Sequence, residues 1–214
     1  LRIKAGHRMT TSIAIYLFPD AEVLDFAGPY EVFTTASRVF MRENPSLLEP
    51  FSVFTVAREA GTVKARAGLV VQPDYSFTNH PPIDVLLIAG GVVTAELDTP
   101  EVIIWVAATS ARAALTASVC TGAFLLAEAG LLDGLSATTH WEDIPDLQAG
   151  YPMISVVADQ RWVDEGSIVT SAGISAGIDM SLHLVERLAG RVLALLTARQ
   201  MDFDWTGNRS DLNE

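Results

Sequence analysis

The only cysteine of this 214-residue chain, Cys120, stands in the stretch Thr116-Ala117-Ser118-Val119-Cys120-Thr121-Gly122-Ala123-Phe124-Leu125-Leu126. A thiol becomes a nucleophile when its surroundings favour the thiolate. Residues 114–119 read as a short buried strand and residues 122–129 as a helix, which puts Cys120 at their junction. A side chain there points into the crevice where open α/β sheets keep their sites. A helix N-terminus favours negative charge, so the expectation is a thiol of lowered pKa. Thr121 supplies a backbone N–H beside the sulfur, and Gly122 permits a tight turn. This is the logic of a nucleophile elbow, with Cys in place of Ser. A lone cysteine is more often a small buried hydrophobe; the strand-Cys-Thr-Gly-helix context is what argues against that here.

Three other groups sit where chemistry is possible. Asp25 follows the first predicted strand, in a loop that brings an acid to the same sheet edge. Read alone, it is a solvated loop carboxylate. Gly90-Gly91 directly follows the apolar run Asp84-Val85-Leu86-Leu87-Ile88-Ala89. Paired glycines let backbone N–H groups approach a ligand, as an oxyanion hole requires, and serve equally as a tight turn. His140 ends Thr138-Thr139-His140, where it suits a base, an orienting group or a hydrogen-bonded strand end. Gly173-Ile174-Ser175-Ala176-Gly177 has the spacing of a serine elbow. Cys120 already occupies an elbow and no second His–acid set is apparent, so this turn is read as pocket lining. His183 lies among Leu182, Leu184 and Val185 and reads as helical packing. No metal-ligand spacing and no phosphate loop appears.

The elements that must carry these groups alternate. Strands are expected over residues 11–18, 51–57, 84–89, 114–119, 136–140, 154–163 and 167–171. A hairpin at the sheet edge is expected over residues 63–72. Helices are expected from Pro29 to about Asn44, from Pro100 to about Ala111, and over residues 122–129, 142–148, 175–188 and 191–199. Continuous apolar strands alternating with helices predict a mostly parallel sheet covered on both faces. Residues 9–214 are taken as one domain. Residues 1–8 are basic, lack an apolar h-region and read as a leader or an added segment.

Composition narrows the function classes. Half the residues are hydrophobic, and no apolar run is long enough to span a membrane. A net charge of −12 disfavours nucleic acid and anionic membranes as partners. One cysteine excludes an intramolecular disulfide and any multi-cysteine metal site, and it suits a reducing cytoplasm.

Taken together, FPDAEVLDFAGPYEVF, LLIAGG, SVCTGAFLLAEAGLLDG, ATTHW and VTSAGISAGIDMSLHLVE resemble the ThiJ/PfpI branch of the class I glutamine amidotransferase-like superfamily. The motifs run in the expected order from Met9 to Leu188. The resemblance implies a flavodoxin-like three-layer sandwich, commonly dimeric, with its nucleophile at Cys120. Within that branch the chain resembles the isonitrile hydratases. Leu24-Asp25-Phe26-Ala27-Gly28-Pro29 matches their catalytic aspartate motif, and Cys120 and Thr121 match their Cys-Thr pair. Ala89 departs from the family, where many members carry proline. The implied reaction adds water to R–N≡C and gives an N-substituted formamide, with no cofactor and a small molecule as substrate. Cys120 attacks the isonitrile carbon, Asp25 moves protons, Thr121 orients, and the Gly91 and Thr121 amides stabilise charge.

The same resemblance extends to the sensory half of AraC-type transcription regulators and to non-catalytic ligand-binding or stress-response proteins. About two dozen residues follow Leu188, too few for a helix-turn-helix domain. Glutaminase chemistry needs a late His-x-Glu pair. His183 and Glu186 are spaced differently, and His140-Trp141-Glu142 follows the nucleophile too soon.

Overall fold

The computed structural model describes residues 10–205. The expected leader at residues 1–8 and the polar end beyond residue 205 lie outside them.

The chain opens with strand β1 (Thr11–Tyr16), helix α1 (Val23–Glu43) and strand β2 (Phe51–Ala57). Three two-residue strands follow: β3 (Val63–Lys64), β4 (Val70–Val71) and β5 (Tyr75–Ser76). Next come β6 (Val85–Ile88), α2 (Thr94–Leu97), α3 (Pro100–Ser110), β7 (Leu115–Val119) and α4 (Gly122–Glu128). Then come β8 (Ser136–Ala137), α5 (Ile144–Gly150), β9 (Ser155–Val156), β10 (Trp162–Asp164) and β11 (Ile168–Ser171). Helices α6 (Ala176–Ala189) and α7 (Arg191–Gln200) close the described chain.

The main sheet runs β10-β11-β7-β6-β1-β2-β5 and is parallel except for the β10–β11 hairpin. Its inner five strands, β2-β1-β6-β7-β11, follow the flavodoxin-like order. The order reverses between β1 and β6, which opens a crevice at their carboxyl ends. Right-handed crossovers then require α1 on one face and α3 with α4 on the other. Accordingly α1, α6 and α7 pack together, while α2, α3 and α4 form a second group. Strand β6 (VLLI) is buried along its whole length between the two layers, as a strand covered on both faces must be.

Three departures bear on the site. Helix α1 begins at Val23, so Asp25 lies in its first turn and not in a loop, and Pro29 lies inside the helix. Proline signals a helix start only when the preceding turn lacks other support. Here Phe26 is buried, which holds that turn against the core. The expected strand over residues 136–140 is only two residues long. It pairs with β9 in a separate sheet, and the β3–β4 hairpin also stands apart from the main sheet. The strand at that edge is β5, whose two residues are too few for alternation to show.

Candidate active site

The elbow forms as expected, and its strain is visible. Cys120 has φ 55°, the left-handed region that costs an L-residue about 1–2 kcal/mol. The surroundings hold it there. The Cys120 N–H donates to Ser171 O (3.1 Å) and Ala172 O (3.3 Å), and the Thr139 hydroxyl donates to Cys120 O (2.9 Å). Gly122 is required because a Cβ there would lie 2.5 Å from Ile88 O and 2.8 Å from Ala89 O. The start of α4 can therefore approach the end of β6 only as glycine. Gly177 does the same for α6, since a Cβ there would sit 2.8 Å from Val119 Cγ1. The glycines of Gly173-Ile174-Ser175-Ala176-Gly177 thus serve close packing, and the Ser175 hydroxyl accepts from Arg161 Nη2 at 3.1 Å.

Three of the expected groups meet above Gly90. A Cβ on that glycine would lie 2.7 Å from Asp25 Oδ2, 2.7 Å from Thr121 N and 2.8 Å from Cys120 Cβ. Only a residue without a side chain lets acid, amide and thiol share this space. The Gly90 N–H donates to Asp25 Oδ2 at 3.1 Å. The Gly91 N–H donates to Thr121 Oγ1 at 2.8 Å, and that hydroxyl donates back to Gly91 O at 2.8 Å. Both glycine amides are therefore engaged with the protein, so the loop as it stands offers neither as a free oxyanion donor. The glycine pair instead anchors the acid and the threonine. The backbone amides that favour a charged sulfur are those of Thr121 and Ile174.

Proton affinities run against the expected thiolate. Burial, and then the Asp25 charge, push the Cys120 thiol up to about 12, against the smaller opposing effect of the Thr121 and Ile174 amides. The electrostatic pull of a short helix does not overcome desolvation in so closed a site. Burial likewise lifts the Asp25 carboxyl to about 7, opposed by the Gly90 amide, with a further upward contribution from Glu22. The thiol is near enough to favour the ionised acid, yet Asp25 Oδ1 makes no full hydrogen bond among the described residues. Near neutrality the acid, not the sulfur, is the group poised to exchange a proton.

His140 is not hydrogen-bonded to this cluster. It precedes a 3-10 turn, where its Nδ1 accepts from the Glu142 N–H at 3.4 Å and lies 3.3 Å from Asp143 Oδ2. Its ring packs on Gly173, where a Cβ would collide with it. His183 is not simple packing. Its Nε2 lies 2.6 Å from Asp164 Oδ2, a carboxylate that Arg187 also holds at 2.8 Å, and its ring stacks on Trp162. These contacts pin the β10–β11 hairpin to α6. Among the described residues no group of three or more His, Cys, Asp or Glu side chains is placed to hold a metal ion. Ile174, at φ 43°, is the site residue that sequence reasoning did not single out. The surrounding strand-to-helix turn was its only signal.

A profile of the DJ-1/PfpI family matches residues 11–187. The chain belongs to the DJ-1/PfpI family. It is 32% identical over 199 residues to the isonitrile hydratase of Pseudomonas putida, covering 91% of this chain and 79% of that protein. It is 28% identical over 205 residues to the HTH-type transcriptional regulator GbdR of Pseudomonas aeruginosa, covering 96% of this chain but 54% of the regulator. The chain therefore spans about half the length of that relative. Among solved structures it is similar to a ThiJ/PfpI family protein from Pseudomonas syringae, with a TM-score of 0.80 and 30% identity over 92% of this chain and 77% of that one. DJ-1beta of Drosophila melanogaster, at 23% identity over 92% of this chain and all of that one, shares the fold with a TM-score of 0.77. No helix among the described residues is long and apolar enough to cross a membrane.

Proposed function

We propose that this DJ-1/PfpI family member is an isonitrile hydratase-like lyase, with Cys120 as nucleophile, Asp25 as proton-transfer group and Thr121 as an orienting residue. The observation that carries the reading is the meeting, above Gly90, of a carboxyl raised to about 7 and a thiol raised to about 12. The similarity to the Pseudomonas putida isonitrile hydratase supports the choice of reaction.

A resting thiol needs a base, and Asp25 is the carboxylate beside it. Asp25 takes the Cys120 proton as sulfur bonds to the terminal isonitrile carbon, and the proton then passes to that carbon, giving the thioimidate R–N=CH–S–Cys120. Asp25, again a carboxylate, removes a proton from water as its oxygen adds to the same carbon and nitrogen gains a proton. The C–S bond breaks, R–NH–CHO leaves, and the sulfur recovers its proton. One difficult addition becomes two easier ones. The Thr121 hydroxyl, held on both sides by Gly91, fixes the elbow against the glycine loop. Residues 9–214 are taken as one domain working as a homodimer. A monomer in sedimentation across micromolar concentrations overturns the dimer.

Incubation with cyclohexyl isocyanide, following N-cyclohexylformamide, tests the reaction. Turnover lost in Cys120→Ala and Asp25→Asn with folding retained supports it. No turnover on several alkyl and aryl isonitriles overturns it. The similarity to GbdR then favours the second reading, a non-catalytic ligand-binding domain akin to the sensory half of a transcription regulator.

A further inference from the structure

A second buried acid lies on the other side of β1. Glu96, in α2, is 4% exposed, and its Oε2 accepts the hydroxyl of Tyr16, the fully buried last residue of β1. No cationic side chain pairs with Glu96 among the described residues, and its Oε1 accepts no hydrogen bond from them. That oxygen is not sealed in the core. Glu96 and Tyr16 both line a cavity of about 180 Å³ at the carboxyl ends of β1 and β2, walled by Leu17, Phe18, Ala57 and Val63. A buried carboxylate with a single neutral donor is expensive to keep, and native proteins supply such groups with a cation.

The mouth of the cavity carries that cation's counterpart. Arg58 lines it and is loosely held, with Glu59 at 3.7 Å and the Thr99 hydroxyl at 3.4 Å. Its charge reaches the inner wall, since it opposes the rise in the Tyr16 pKa that burial and Glu96 impose. A ligand meeting both groups needs an N–H-bearing cation at its inner end and an anion at its outer end. A cavity of about 150 Å³ holds a benzene-sized molecule, roughly six heavy atoms.

We propose that the Tyr16–Glu96–Arg58 cavity is a binding site for a small zwitterion of the amino-acid class, its ammonium on Glu96 Oε1 and its carboxylate on Arg58. The site is separate from Cys120 and does not depend on the reaction proposed there. No bond is made or broken in it.

Titration calorimetry with glycine, L-alanine and L-serine tests this directly, with ethylamine and acetate as single-charge probes. One saturable site is expected for at least one amino acid, at least tenfold tighter than for either single-charge probe. Arg58→Gln and Ala60→Trp, the latter at an exposed residue that also lines the cavity, are expected to weaken it at least tenfold while leaving the circular dichroism spectrum and melting temperature unchanged. Glu96→Gln is expected to abolish it, and Cys120→Ser to leave it intact. Absence of amino-acid binding, binding unchanged in folded Arg58→Gln and Ala60→Trp, or binding lost in Cys120→Ser each overturns the proposal.

Discussion

Two buried acids flank the end of β1, and their surroundings differ in kind. Asp25 is held by a backbone amide, faces a sulfur, and occupies a space so tight that Gly90 admits no Cβ. Glu96 is held by a phenol and faces a cavity. The first arrangement has partners but little room, which suits proton transfer to a small linear molecule. The second has room, and no cationic side chain among the described residues pairs with its acid, which suits binding. Burial alone does not separate the two roles proposed for these carboxyls; what fills the adjacent space does.

Removing the sulfur should separate the two regions most sharply. Cys120→Ala is expected to lower isonitrile turnover by about 10⁴-fold or more, the scale of losing a nucleophile. Single-turnover product assays measure it. Full activity in that variant rejects the covalent route.

Asp25→Asn should divide activity from stability. Turnover is expected to fall about 10²–10⁴-fold. The folded Asp25 pKa is raised to about 7 from 3.8, so its stability contribution is fully present below about 4 and is lost as pH rises through about 7. Asparagine avoids the cost of the buried charge while still accepting the Gly90 N–H. The variant should therefore be more stable than wild type at about pH 8, by up to something on the order of 4 kcal/mol at about 1.4 kcal/mol per pKa unit. The gain should vanish near pH 4. Urea melts at both pH values check the sign, and a less stable variant at pH 8 places the charged acid in a friendlier setting than its burial indicates.

Tyr16→Phe tests the independence of the second region. Stripping Glu96 of its buried donor is expected to cost about 1–3 kcal/mol. Isonitrile kcat/KM should stay within about twofold of wild type, since roughly 0.4 kcal/mol of coupling is all that separate sites allow. A larger loss makes the two regions one site.

The pH profile offers the finest test. With Asp25 near 7 and Cys120 near 12, the pair carries about one proton between those values and two below them. The proposed reaction needs the singly protonated pair, so kcat/KM should fall about tenfold per pH unit below about 7. A limb lying well above 7 on the acid side would assign the controlling proton to another group.

Much of this arrangement follows from local pattern. Apolar runs of strand length mark where the chain leaves the sheet, with Pro19-Asp20, Gly90-Gly91 and Cys120 at three of the exits, and a parallel sheet gathers those exits at one edge. The meeting of Cys120, Asp25, Thr121 and Gly90 was legible for that reason, as was the alternation of strands and helices, whereas the flavodoxin-like order was implied by the family resemblance. The start of α1 was not, because Pro29 resembles a helix opening unless packing upstream outweighs it. Nor could the pattern show that Gly90 and Gly91 spend their amides on Asp25 and Thr121, or that His183 binds Asp164 and Arg187.

Residue types and their spacing by themselves determined most of the elements, their order and the placing of Cys120 at a strand-to-helix elbow, because periodicity and turn chemistry act over a few residues. Tertiary structure alone decided which protons are held. It raised the thiol that a helix N-terminus was expected to lower, lifted Asp25, and joined Tyr16 to Glu96 across 80 positions of chain. Proton affinity depends on the water excluded and the charges admitted around a group, and those come from segments that meet only once the sheet is assembled.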